Sequence, residues 1–292
     1  VSYLNHIHAL NRHDMGGFRP FFVAGREVGW VRHALAERLA EADDVFEVGP
    51  FGVALRAALG DVDARSQAVA RALAPLVDQA VLPPPKGEAY AVSEGWGEPV
   101  LFDLDRAHVA ALGVRAHGVH MNGYVRKADG LHIWVARRAE DRIVAPGKLD
   151  NMVAGGHAAG HTLWQTLEKE CEEEAGIGPA LSQKARPAGL VSYCLETERG
   201  LRPDTLFVFD LELPADFEPR NTDGEIGAFM LWPVEQVLET VRVTEAFKFN
   251  VPLVILDFAV RHGLLTADTE PEYCDIVQGL RRGAVRFHPP PE

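Results

Sequence analysis

Residues 155–177 constrain the fold of this chain more than any other segment. Gly155-Gly156 opens it, an uninterrupted helix-forming run follows from about Thr162 to Ala175, and Gly176 supplies the residue type that most readily ends a helix. At helical spacing Leu163, Leu167 and Cys171 form an apolar stripe, while Glu170, Glu173 and Glu174 share an adjoining face. The stripe needs a hydrophobic partner and the acidic face needs water or a cation, so the helix must lie on the surface of a core.

The neighbouring segments suggest what that core is. His120–Arg126 and Leu131–Ala136 flank Lys127-Ala128-Asp129-Gly130, whose Asp-Gly step favours a tight hairpin. Leu206–Leu213 and Ala228–Trp232 are rich in β-favouring residues, Pro233 can open a helix running to about Val241, and a last helix, Val251 to His262, stops at Gly263. Strands and helices in this order indicate an α/β fold, an α/β/α sandwich with a mixed sheet. Upstream, Gly25 between two apolar runs suggests a short hairpin, Ala-rich periodic stretches predict helices over Val31 to Ala42 and Val53 to Leu76, and Leu82–Gly87, with three consecutive prolines, reads as a loop. A short strand (Ala89 to Ser93) and an amphipathic stretch (Arg106 to Leu112) follow. The expected division is an α+β accessory domain at 1–115, the sandwich at 116–275 and a tail at 276–292, with the Pro-rich end at His288–Pro291 expected to be disordered.

A formal net charge of −13, with no cluster of five or more Lys/Arg, argues against nucleic-acid and anionic-membrane partners. If the substrate is a phosphate, a cation must stand between it and so acidic a protein. Cys171, Cys194 and Cys274 are odd in number and widely spaced, which points to free thiols. No apolar run reaches a membrane span's length and the first thirty residues show no signal-peptide pattern. A cytoplasmic protein is expected, although a chain opening on Val1 need not display its natural start.

Like charges three or four apart on an exposed helix cost only about 0.2 to 0.5 kcal/mol per pair, so a solvated acidic face is permissible. In a cleft with an effective dielectric near 20, each pair at about 4 Å repels by roughly 4 kcal/mol, which calls for a compensating cation. Oxygen-only ligands favour Mg²⁺ or Mn²⁺ over zinc.

The segment resembles the Nudix box: Gly155, Glu170, Cys171, Glu173, Glu174, Gly176 and Ile177 fall at its spacing. Two positions depart from it, His161 where a Glu is usual and Lys169 where an Arg is usual. In the family those two support the box, so the departures question local scaffolding and leave open a module that binds a pyrophosphate without cutting it. His117–Val125, Pro146–Asn151, Ala154–Gly156, Lys169–Cys171, Asp210–Pro214 and Asp223–Glu225 are similar to a Nudix subfamily with an extra N-terminal domain, related to the Nudix part of fungal thiamine pyrophosphokinase fusions. That resemblance implies a Mg²⁺-dependent diphosphatase acting on thiamine diphosphate or its oxidised or damaged analogues and releasing monophosphate. A nucleotide such as ADP-ribose or NADH is the alternative.

The family pattern implies Glu170, Glu173 and Glu174 as metal ligands, with the carbonyl of Gly155 or its neighbour completing the shell. The general base is then one of these glutamates, Glu173 or Glu174, or else Glu225, which also reads as an ordinary loop acid. Arg138, Arg142 and Lys148 surround the loop before the box and either clamp phosphate oxygens or are surface cations. His117 and His120 point to opposite faces of a strand and read as structural or substrate-lining. Cys171 reads as core, and for Trp96, Tyr124 and Trp134 core packing is the better reading than stacking on a substrate ring. Residues 1 to 115 shape the pocket, dimerise or brace the catalytic domain; oligomeric state does not follow from the sequence.

Overall fold

The computed structural model describes residues 2–283; the Pro-rich end at His288–Pro291 lies outside them. The N-terminal region contains α1 (Leu4–Leu10), β1 (Phe18–Val23), β2 (Arg26–Arg32), α2 (His33–Leu39), β3 (Phe46–Gly49), β4 (Gly52–Leu55), α3 (Val62–Asp78), β5 (Ala89–Val92), β6 (Phe102–Asp105) and α4 (Val109–Leu112). The hairpin expected at Gly25 is β1–β2, turned by Ala24 and Gly25, both at positive φ. Strand order is β2-β1-β4-β3, and β5–β6 form a separate pair against α3. Phe21, Phe46 and Phe102 meet at the centre of this core, with Phe21 and Phe102 edge to face at 6.1 Å.

The helix expected over Val53 to Leu76 is wrong in its first third. Val53–Leu55 belong to β4, which pairs with both β1 and β3, and the helix starts only where the Asp61 carboxylate accepts from the Ala64 N–H. Three residues with alternating burial inside a sheet gain two sets of ladder bonds, which outweighs their helix propensity.

The remainder comprises β7 (Ala116–Lys127), β8 (Gly130–Arg138), β9 (Leu149–Asn151), β10 (Val153–Gly156), α5 (Leu163–Ala175), α6 (Pro179–Ser182), β11 (Arg186–Thr197), β12 (Gly200–Glu212), β13 (Ile226–Pro233), α7 (Val234–Val243), α8 (Val251–Arg261) and α9 (Tyr273–Gly279). Its mixed seven-stranded sheet runs β11-β12-β7-β8-β13, with β12 parallel to β7. β8 pairs with the far end of β7, and β10 pairs with residues 118–121 of that strand. Alternation divides each central strand between two cores. Val119, Met121, Phe209 and Leu211 face α5, whereas Tyr124, Leu206 and Val208 face α7 and α8. This is the α/β/α sandwich with a mixed sheet, preceded by an α+β region.

The helices α1, α6 and α9 were not expected from the sequence. α1 packs beside α8, α9 and β11 rather than with the N-terminal core, so by packing the first ten residues belong with the sandwich. The cut at residue 276 falls inside α9, whose Ile276 is fully buried, as is Leu280 just beyond it.

Candidate active site

α5 is fixed at both ends by local chemistry. The Thr162 hydroxyl accepts from the Gln165 N–H at 3.2 Å, the Gln165 side chain accepts from the Thr162 N–H at 2.8 Å, and Gly176 ends the helix at φ +65°. Leu167, Cys171 and Ala175 are buried against β7 and β10, with Cys171 Sγ 3.8 Å from Met121 Sδ. Burial pushes the Cys171 thiol up to about 12, consistent with a core role.

This docking sets the carboxylates against β10. Glu174 is buried and accepts from the Ala154 N–H at 2.7 Å; burial holds its carboxyl well above the usual range, and Asp150 and Glu170 add repulsion. Burial also raises Glu170, which lies so close to Gly155 that a Cβ there would stand 2.2 Å from its Cδ. Glycine is required at 155 for this approach. Glu173 pairs with Lys169 Nζ at 2.7 Å, and the same ammonium reaches Glu170 at 3.2 Å. The three acids of one helical face therefore do not meet at one point, and among the described residues no three Asp, Glu, His or Cys side chains gather in a metal-binding group. Glu174 has the Ala154 N–H, and Glu170 and Glu173 share the Lys169 ammonium, which relieves their repulsion. His161, where a Glu is usual in the box, is exposed, with a ring nitrogen 3.3 Å from the Ala159 carbonyl.

Beside this loop lies a cavity of about 500 Å³, lined by Ala154, Gly155 and Gly156 and by side chains from both halves of the chain. The helix glutamates are not part of its lining, although Glu170 is close enough to raise the Arg106 guanidinium and to feel Glu225. Lys86, Arg106, Arg142, Arg199, Arg202 and Lys248 are. The Lys86 ammonium is lowered first by burial and then by Arg106 and Arg199, with a smaller contribution from Arg142, as expected of cations crowded together. Arg106 keeps one partner, Glu88, at 2.7 Å. Two contacts seat the N-terminal region on the box loop: the Ala159 N–H donates to the Ala89 carbonyl at 2.8 Å, and Tyr90 fills the space a Cβ at Gly156 would take, its hydroxyl 1.8 Å from that position.

The other expected residues divide. Arg138 lines the cavity but is buried and committed, to Asp150 at 2.8 Å and the Val144 carbonyl at 3.0 Å. Arg142 and Glu225 line it as an ion pair at 2.7 Å. Lys148 does not line it; its ammonium donates to the Glu245 carbonyl at 2.6 Å. His117 and His120 both line the cavity, and burial lowers each to about 4, so both rings are neutral. Trp96 is half exposed, 4.5 Å from Phe207 and 5.0 Å from His117, rather than in the core. Tyr124 packs on Phe258 and Trp134 beside the α5-side core. Lys86, Tyr90, Arg106, Arg199 and Arg202 went unnoticed in the sequence. Of these only Lys86 carries a local signal, its Pro-Pro-Pro-Lys-Gly loop, which marks a turn but not what it turns toward.

Residues 117–250 match the family described as NUDIX domain, and residues 2–116 match a domain of unknown function, DUF4743. The chain is 36% identical over 287 residues to Nudix hydrolase 24, chloroplastic, of Arabidopsis thaliana, covering 97% of this chain and 78% of that one. Nudix hydrolase 20, chloroplastic, of the same plant is 37% identical over 292 residues, with 96% and 78% covered. Among solved structures, DR0079 from Deinococcus radiodurans matches 54% of this chain and 91% of its own at 22% identity and a TM-score of 0.42. The box on α5 and relatives of this similarity over nearly the whole chain agree: the chain belongs to the Nudix hydrolase family, whose members hydrolyse pyrophosphate bonds.

Proposed function

We propose that the protein is a Mg²⁺-dependent diphosphatase of a small organic pyrophosphate, with thiamine diphosphate and its oxidised or damaged analogues as the substrate class to test first. The observation that carries this reading is the cavity itself. An acidic chain of net charge −13 gathers Lys86, Arg106, Arg142 and Arg199 at one end of it, next to the glycine loop that Glu170 and Glu174 support. Such a concentration of cations favours a polyanion. The volume is in the range that encloses a small organic ligand.

The residues fit a hard divalent cation. The donors are all oxygen, and Glu170 and Glu174 are buried carboxyls raised by desolvation and mutual repulsion, a state that a cation relieves. Glu170, Glu173 and Glu174 would hold it, with the Gly155 carbonyl contributing. When bound, Mg²⁺ or Mn²⁺ neutralises phosphate charge and lowers the pKa of a coordinated water. Lys86, Arg106 and Arg142 bind the phosphate oxygens, and the neutral His117 and His120 shape the pocket without adding charge. Glu225, paired with Arg142 at the cavity wall, would take the proton of an attacking water once a substrate draws Arg142 away.

The test is a panel of thiamine diphosphate, its oxidised analogues, ADP-ribose and NADH, incubated with Mg²⁺, Mn²⁺ or chelator and read by mass spectrometry. Monophosphate release from a thiamine compound that stops on chelation and in E173Q is expected. Turnover of only ADP-ribose or NADH would replace the substrate class. Ligand-raised melting temperature without product would identify a binding module.

A further inference from the structure

The cations that line the cavity differ in what answers them. Arg106, Arg138 and Arg142 hold Glu88, Asp150 and Glu225, Lys248 shares Asp150 at 3.1 Å, and Arg202 pairs with Asp204 at 2.6 Å. Lys86 and Arg199 line the same cavity and are exposed, and among the described residues neither has a carboxylate within salt-bridge distance. Burial, and then the fields of Arg106 and Arg199, lower the Lys86 ammonium, so the two unpaired side chains lie within electrostatic reach of each other. Glu198, next to Arg199, lines the cavity but pairs with neither.

Each of the two stands on an anchored backbone from a different part of the chain. Three prolines precede Lys86, and the N–H groups of Lys86 and Gly87 donate to the Asp105 carboxylate at 3.0 and 2.8 Å, which sets the loop. Arg199 lies in the two-residue turn between β11 and β12, closed by the pair Thr197–Gly200. Arg32 holds that turn against the N-terminal region, donating to the Thr197 carbonyl at 2.7 Å and pairing with Glu196 at 2.8 Å. On its other side a Cβ at Gly200 would stand 2.1 Å from the Ala110 carbonyl oxygen. These anchors keep both cations at one cavity, where an anion between them relieves their repulsion. Two unpaired cations suit a phosphate that carries two negative charges, as a terminal phosphoryl group or free phosphate does and a phosphate esterified on both sides does not.

We propose that Lys86 and Arg199 form a subsite for a doubly charged phosphate group, filled without a metal ion and bridging the N-terminal region and the β11–β12 turn. It adds Arg199 and independence of metal to the phosphate contacts given above. It rests on the diphosphatase reading for the source of that phosphate, the end of the substrate or the product cut from it, whereas the binding itself is tested without turnover.

The experiment is calorimetry on the full chain in chelator, titrated with inorganic phosphate and, at equal ionic strength, with dimethyl phosphate, a singly charged diester. Saturable binding of phosphate is expected, about tenfold or more tighter than dimethyl phosphate, and K86A and R199A should each weaken it by about tenfold through loss of a charge-assisted contact. Both side chains are exposed, so neither variant threatens the fold. K127A, in the β7–β8 hairpin outside the cavity lining, controls for net charge and should bind phosphate as the parent does. Phosphate that binds no better than dimethyl phosphate, binds only when Mg²⁺ is added, or binds the K86A/R199A double variant as well as the parent overturns the proposal. Inhibition of hydrolysis by phosphate, lost in R199A, separates the sources: a competitive pattern assigns the subsite to the end group of the substrate, and a non-competitive one to released phosphate. Phosphate binding that persists where no pyrophosphate is hydrolysed would fell the diphosphatase reading and leave the subsite standing.

Discussion

The carboxylate face of α5 and the cationic wall beside it are assembled in opposite ways. Glu170, Glu173 and Glu174 come from one turn of one helix, set in place by a capping box, a left-handed glycine and an apolar stripe, all within fifteen residues. Lys86 and Arg106 join Arg142, Arg199 and Arg202 only because the N-terminal region docks on the loop after β10. The helix face carries the box by which the family is identified, whereas the wall draws on residues outside the box. Chemistry and substrate choice should therefore fail separately when each is altered.

The largest effect belongs to the helix. E170Q is expected to lower kcat by more than about 100-fold with KM little changed, since even groups that merely support metal ligands cost 10- to 100-fold when lost. Steady-state kinetics at saturating Mg²⁺ check it, and a variant with normal kcat would remove Glu170 from the site. The wall should answer in the other parameter. K86A combined with R106A is expected to raise KM by about 10- to 100-fold and to hold kcat within a few-fold, the pattern of lost substrate binding. An unchanged KM would reduce the N-terminal region to a brace.

Stability sharpens the comparison further. His117 and His120, at the seam between wall and sheet, have folded values of about 4 against an ordinary 6.5. A histidine lowered in this way stays neutral in the fold while the unfolded chain takes up the proton. Stability is thus intact above pH 6.5 and is lost as the pH falls from 6.5 toward 4. In denaturant melts across that window His117→Phe, which keeps a ring against Trp96 and Phe207, should lower the proton uptake on unfolding by about one per molecule. The smallest effect is at the helix start, where Thr162→Ala should cost about 1 kcal/mol through loss of the capping box, measured by the same melts.

What could be read from the sequence follows the same division. The helix was expected over Thr162 to Ala175 and runs over Leu163–Ala175, and the hairpins at Gly25 and at Asp129-Gly130 form as their turn residues require. These features are local, so a window of sequence contains their causes. The start of α3 was misplaced because Val53–Leu55 are drawn into a sheet by partners at residues 21–22 and 46–48. α1 is explained only by α8, α9 and β11, more than 170 residues away along the chain. The site repeats the pattern. That Glu170, Glu173 and Glu174 share one helical face was legible, but not that Lys169 would pair with both Glu170 and Glu173, nor that Lys148 would be spent on the Glu245 carbonyl. Lys86 and Arg106 carry no motif, because their role is conferred by where the N-terminal region lands.

The central claim is that the α5 carboxylates and a pyrophosphate share one divalent ion. Mn²⁺-induced relaxation of the ³¹P signals of a non-hydrolysable methylene bisphosphonate, bound to the full chain, tests it most directly. The account predicts strong broadening that needs the protein and is lost in E170Q and in E174Q. Broadening indifferent to both substitutions, or Mn²⁺ that stays free in solution, would contradict it.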